Sequence, residues 1–348
     1  MKKLFFIISI ILLAGITVSA SDLVIESKTQ SYQESDNKIK FDGDVKVTVD
    51  SLSVVGDSAD VTIDNKQNLD TATFYDKPYA FEIKKNKKRE VKANILQLSL
   101  ITKIVKAKGD TQSIVFDGKT PVVVINADEQ EYDTKTGVMD ARGNVTIHYK
   151  EIETFSDKAK IKTDKNGDLK NIELTGNARL KQEENDSFAD RFFYDTTTKI
   201  VIAEGNTTSK TLTDNGTILV LKSHRQEYAQ DKNIFNASGN VNIWYEDYYA
   251  VGPKVTVYPN AKGKPNEVYF TGRSSITQGV RTIYADKIKM KMKPKDFEAE
   301  GNTRTVIKNI VKNDKLLYVN ARASNYTVDL LQGKVIFIGK SCEKKLAK

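Results

Sequence analysis

The side chains that could perform chemistry are few, and their spacing gives each little to work with. The chain contains two histidines, His148 and His224, and a single cysteine, Cys342. One cysteine rules out an intramolecular disulfide framework and a cysteine-rich zinc or iron–sulfur site. Two distant histidines leave a nucleophile–histidine–carboxylate arrangement short of parts. Asp128, Asp190 and Asp286 would suit general acid–base work if each stood alone. They instead recur at one equivalent place, which His224 also occupies, so they read as backbone caps or exposed charges. His148 stands where Thr48 and Trp244 stand in sister segments, on the outward parity of a strand, and reads as a solvent-side residue. The run from Lys84 to Arg89 reads as a solvated loop, with contact to an anionic headgroup as the alternative. Trp244, Tyr245, Tyr248 and Tyr249 could form a binding platform, but alternation turns Tyr245 inward and Trp244 outward, which favours sheet packing. No Gly-rich nucleotide loop occurs, and the basic residues are scattered, which argues against a nucleic-acid partner. Neither catalysis nor a cofactor is expected.

What remains is a scaffold. The 348 residues are 39% hydrophobic and 29% charged with only 6 Pro and 19 Gly, a composition that fits neither a disordered polymer nor a multi-span membrane protein. Residues 1–20 run Lys2-Lys3, an apolar stretch from Leu4 to Leu13, then Val18-Ser19-Ala20, the order of a secretory signal peptide cleaved after Ala20. Retention as an anchor is the competing expectation, but the apolar stretch is about 15 residues against the roughly 20 a spanning helix needs.

The elements that position the remaining residues follow from an internal repeat. Six times a small residue is followed five positions later by a Tyr or large apolar anchor, and eleven after that by Gly-Asn or Gly-Asp. The anchors are Tyr32, Leu98, Tyr132, Tyr194, Tyr228 and Met290, with Gly43, Gly109, Gly143, Gly205, Gly239 and Gly301 behind them. Ala321–Tyr326 begins a seventh copy that frays. Long and short steps alternate, so the true period is their sum, 96 residues between Tyr132 and Tyr228. The expected organisation is three units, 21–121, 122–218 and 219–315, with a partial terminal repeat and tail over 316–348.

Apolar residues alternate on either side of each Gly, and period two means strand. The polar clusters at Asp133–Gly137 and Asp195–Thr198 predict hairpin turns; Ser99–Thr102 is less polar. Gly-Asn might itself suggest a two-residue hairpin, but the apolar parity does not change across it. One strand bent at a corner accounts for that better. The inward row then contains Ile39, Phe41, Val45, Val47, Val105, Met139, Val145, Ile147, Val201, Phe235, Val241, Ile243 and Phe297. At about 12 residues per strand and turn, each unit would hold about eight strands in two sheets, or about 20 Å along the stack. Fold class is therefore all-β, an extended β-jelly roll or V-shaped β-solenoid built from internal repeats. An interior filled by its own side chains, as in a structural or adhesive scaffold, alternates in the same way.

The export signal, the period-two strands and the pattern running most fully from Ala127 to Val145 together resemble the OstA-like family. That family includes the lipopolysaccharide transport proteins LptA and LptC and the N-terminal domain of LptD. The resemblance covers roughly Ser21 to Gly339. It implies a β-jelly roll opened into a V-shaped groove that shelters acyl chains, and so a periplasmic protein that binds lipopolysaccharide or a related glycolipid. It also implies an inner-membrane LptC-like and an outer-membrane LptD-like partner joined by strand addition, with end-to-end self-association as a further expectation. The inward row above would line the groove. Three units exceed the simpler family members in length, which suggests a fused bridge; a tethered LptC-like component is the alternative if the N-terminal segment is retained.

Overall fold

The alternation of apolar and polar residues does produce strands. The computed structural model describes residues 23–346 except 86, 293–295, 313–314, 330–333 and 339–341. The proposed signal segment, 1–20, lies outside the described residues, as do Gly339 and parts of the terminal repeat. Among the described residues, 24 strands form one antiparallel sheet. From Ile104 to Asp329 it is a meander in which each long strand pairs with the one before and the one after it in sequence. The all-β, repeat-built jelly roll is the fold of this chain.

Each long strand is bent at a corner. The strand Val138–Tyr149 runs through Gly143-Asn144 without ending, and its pairing with Ile152–Thr163 slips by one residue there. Gly143 and Asn144 take φ of 76° and 48°, the left-handed pair of a β-bulge that bends the strand. The same bend recurs at Gly43-Asp44, Gly109-Asp110, Gly205-Asn206, Gly239-Asn240 and Gly301-Asn302. Glycine is required at this place twice over: a Cβ on Gly143 would lie 2.2 Å from Asp128 Oδ2. That carboxylate accepts a hydrogen bond from Asn144 Nδ2 at 3.0 Å, and Asp190–Asn206 and Asp286–Asn302 repeat the contact at 3.0 and 2.6 Å. The recurring acids are thus corner ties, and Lys28–Asp44 makes the same tie as an ion pair at 2.7 Å.

Turns repeat with the strands. Asp133 Oδ1 accepts from the amides of Lys135 and Thr136, and Asp195 Oδ1 from those of Thr197 and Thr198, closing the hairpins expected there. The less polar Ser99–Thr102 also closes a turn, between Ile95–Ser99 and Ile104–Asp117. At the opposite strand ends Asp164 and Asn260 each accept from the amides two and four residues on.

Three expectations need correction. The second and third units each contribute six long strands, as in Thr120–Asp133 to Ile200–Leu212, because each of these strands continues past the corner and serves both arms of the sheet. In the first unit three of the six rungs are broken into pairs of short strands, as in Leu69–Phe74 with Tyr79–Lys84. The rise per unit is therefore about 29 Å at about 4.8 Å per strand. The run Lys84–Arg89 is not a solvated loop; it joins the paired strands Tyr79–Lys84 and Lys87–Lys92, and its cations meet carboxylates at Glu82, Asp168 and Glu90. In the terminal copy, Phe297 pairs with Val328, as Val105 pairs with Tyr132 and Val201 with Tyr228. Val328, not Tyr326, takes the anchor position, because the hairpin joining the paired residues is longer in that copy than in the other two.

Candidate lipid-binding interior

The bend folds each strand over, so residues from both of its arms meet on one inner face. Met139 and Ala141 precede the corner and Val145 and Ile147 follow it, and all four belong to one buried cluster. Three such clusters succeed one another, from Phe41 to Ala107, from Val123 to Ala203 and from Leu219 to Ala299.

Every residue of the expected inward row faces this interior. Phe41, Val45, Val47, Val105, Met139, Val145, Ile147, Val241, Ile243 and Phe297 are at most 5% exposed. Ile39, Val201 and Phe235 are half-buried and pack against the same clusters. Outward positions behave as parity predicts. His148 is exposed beside Glu153, at 3.7 Å. Trp244 lies outside against Tyr249, ring centroids 5.2 Å apart, while Tyr245 is buried.

Alternation did not reveal a second, polar inner row. After the corners at Gly109, Gly205 and Gly301 the inward residues are Thr111 and Ser113, Thr207 and Ser209, and Thr303 and Thr305, all buried. The first two pairs are satisfied internally. Thr111 donates to Ala127 O at 2.7 Å and Thr207 to Ser223 O at 2.8 Å, while Ser113 and Ser209 donate to Gln130 and Gln226. Those two amides in turn donate to Ile125 O and Leu221 O. Gln130 and Gln226, at 96-residue spacing, were the available signal for this row. Thr303 and Thr305 have no hydrogen-bond partner among the described residues.

Where one cluster meets the next, the interior is built differently. At the first junction Glu82 and Arg89 are buried among apolar groups. Glu82 accepts from Tyr132 Oη at 3.1 Å and pairs with Lys84 Nζ at 2.9 Å, while the Arg89 guanidinium lies 4.0 Å from the Tyr132 ring centroid. Burial pushes the Tyr132 phenol up, against the pull of the Arg89 cation. At the second junction, a cavity of about 320 Å³ opens between the arms. Leu180, Phe192 and Val201 line it from the second unit and Leu219, Phe235 and Val257 from the third. Tyr228 also lines it, and burial raises its phenol above the ordinary value.

An ion pair spans the rim between arms at both junctions. Lys87 Nζ lies 2.5 Å from Asp168 Oδ1, and Lys264 Nζ lies 2.7 Å from Glu184 Oε2, with the charges exchanged. The Asp168 carboxylate holds the Lys87 ammonium above its usual range. Among the described residues no group of three His, Cys, Asp or Glu is placed to hold a metal ion.

Residues 24–119 and 124–257 match the family described as LptA/(LptD N-terminal domain) LPS transport protein. Among solved structures the chain is similar to LptH, the LptA-homologous periplasmic component of the lipopolysaccharide transport device of Pseudomonas aeruginosa. The likeness has 15% identity and a TM-score of 0.32, covering 35% of this chain and 83% of that one. A search of curated proteins gave no significant match. With more than half of its length matched, this chain belongs to the LptA/LptD N-terminal family of lipopolysaccharide transport proteins.

Proposed function

We propose that this chain is a periplasmic carrier that shelters the acyl chains of lipopolysaccharide, or of a related glycolipid, along its inner face. Residues 1–20 would be removed on export, and units 21–121, 122–218 and 219–315 would act as one fused bridge between the inner and outer membranes. The observation that carries the reading is the inward apolar row that recurs from Phe41 to Phe297 in three successive clusters on one continuous sheet. Burying each methylene is worth about 0.8 kcal/mol, so several acyl chains cannot cross water unsheltered. Where the arms pack against each other, a guest would replace one apolar contact with another, at little net cost.

The ends supply the partners. Strands Leu23–Glu26 and Thr29–Gln33 pair on one side with Lys38–Val49, leaving backbone groups on their outer edges for strand addition. An LptC-like protein at one end and an LptD-like protein at the other would extend the inner face, and a second copy of this chain could do the same. A photo-crosslinker at Ile147 or Ile243 should label co-purified lipopolysaccharide, and one at Thr146 or Asn242 should not. Equal labelling at both parities would remove the reading.

A scaffold filled by its own side chains is the second reading, favoured by the full burial of Val45, Val47 and Val241. It expects no lipid to co-purify and no crosslink from either parity.

A further inference from the structure

The repeat lets both junctions be compared, position by position through their strand pairing, with the equivalent place at the far end of the third unit, the third junction. Ala80 faces Val91, Leu180 faces Ser187, and Ile276 faces Ile283. Two residues further along, Glu82 faces Arg89, Gln182 faces Asn185, and Gln278 faces Arg281. On the neighbouring strands Leu52, Ile152 and Tyr248 occupy one place, and Val105, Val201 and Phe297 another. The first junction is filled by the buried Glu82–Arg89–Tyr132 group, and about 10 Å³ of void remains beside it. The third is filled by Tyr248, Ile283 and Phe297, and about 20 Å³ remains. Only the second combines Ser187 with Asn185 and Val201, and there the void is about 320 Å³. The cavity is therefore a property of the side chains at one junction and not of the fold.

Its chemistry suits a hydrocarbon guest. The polar atoms of its floor are satisfied within the wall: the Ser187 and Ser209 hydroxyls are 2.9 Å apart, Ser209 donates to Gln226, and Gln226 Nε2 donates to Leu221 O at 3.3 Å. They make no demand on a ligand; Leu180, Phe192, Val201, Leu219, Phe235 and Val257 supply an apolar wall, while Gln182, Asn185, Glu227 and Gln230 add polar groups to the lining. At roughly 30 Å³ per methylene, close to the volume of one water, the space accepts a chain of about ten carbons. Lys262 lies at the mouth, exposed, with no ion pair among the described residues, while its neighbour Lys264 is held by Glu184. An anionic headgroup would meet that free ammonium.

We infer that the second junction is a standing binding site for one acyl chain of the glycolipid, with the headgroup outside beside Lys262. The inference rests on the transport reading above and narrows it: the guest has one resting place, set by Asn185, Ser187 and Val201, and the first and third junctions are passages that must open.

The test uses the purified full chain, sodium dodecanoate as probe, and native mass spectrometry. One dodecanoate should bind per chain. N185R/S187I, which imports a guanidinium and a branched side chain as at the third junction, should weaken binding at least 10-fold, as should V201F by itself. R281N/I283S/F297V should admit a second dodecanoate. Unchanged binding in both filled variants, with circular dichroism like the parent, would overturn the site. Purified lipid A should displace the probe; binding of dodecanoate that lipid A does not displace would overturn the assignment to a glycolipid chain. Crosslinking of lipopolysaccharide from Ile147 in these variants tells the two readings apart. If it persists while the dodecanoate results fail, the resting site is wrong and the carrier survives; if no lipopolysaccharide is captured from either parity, the carrier is wrong.

Discussion

The first and second junctions stand at the same place in successive repeats and solve the same packing problem in opposite ways. At the first, the space between the arms holds a carboxylate that accepts from a phenol, and a guanidinium stacked on the phenol ring whose Nε has no hydrogen-bond partner among the described residues. At the second, shorter side chains leave about 320 Å³. A space with a mouth to solvent leaves part of its apolar lining uncovered, and an apolar occupant would cover it. A bridge of identical units would offer a guest equivalent positions throughout. Under the carrier proposal, unequal junctions would give it one place to rest and others that resist it.

The largest effect that could break this comparison lies at the first junction. E82A removes the acceptor shared by Tyr132 and Lys84 and leaves the buried phenol without its partner, so the unfolding free energy should fall by about 2 kcal/mol or more in urea. A loss below about 1 kcal/mol would show that the group is solvated and that the two junctions differ less than their packing indicates. At the second junction the sign should reverse. V201F, borrowing the residue of the third, fills space without disturbing a polar contact and should stabilise the chain by about 1–2 kcal/mol. A destabilised V201F would mean that the cavity walls cannot accept a ring.

A pH effect is larger at the third junction than at the second, where burial also raises the Tyr228 phenol. Burial pushes the Tyr248 phenol up to about 12. Between pH 10 and that value the unfolded chain releases a proton that the folded chain retains, so stability should fall as pH rises, by at most about 1.4 kcal/mol per pH unit. Y248I, which installs the residue found at Ile152, should reduce this alkaline slope in melts between pH 9 and 11, leaving the part contributed by the raised Tyr132 and Tyr228 phenols. The smallest effect belongs to the rim. E184K places two lysines together where Glu184 meets Lys264, and E184K/K264E restores the pair in the polarity of Lys87 and Asp168. The single variant should lose about 0.5 kcal/mol, relieved by salt, and the double should recover it.

Much of this architecture was legible in the primary structure. Val45 and Val47 repeat at Val145 and Ile147 and again at Val241 and Ile243, and unchanged parity across Gly143 already implied a bent strand. The run at Lys84–Arg89 was not legible, because its partners, such as Asp168, are brought near by the fold and not by sequence. Asn185 and Ser187 passed unnoticed for a related reason: each is ordinary beside its own neighbours and informative only when aligned with Arg89 and Val91, and with Arg281 and Ile283. The polar row at Thr207 and Ser209 was hidden because a count of apolar residues overlooks an inward hydroxyl that the neighbouring strand satisfies.

The order of residues by itself determined the period, the strands, the corners and which side chains turn inward, since these follow from local backbone sterics and the two-residue repeat of a strand. Whether the inward space is filled or open was decided by the tertiary structure alone. Volume between two arms depends on side chains contributed by strands far apart in sequence, and a void is set by what all of them together fail to occupy.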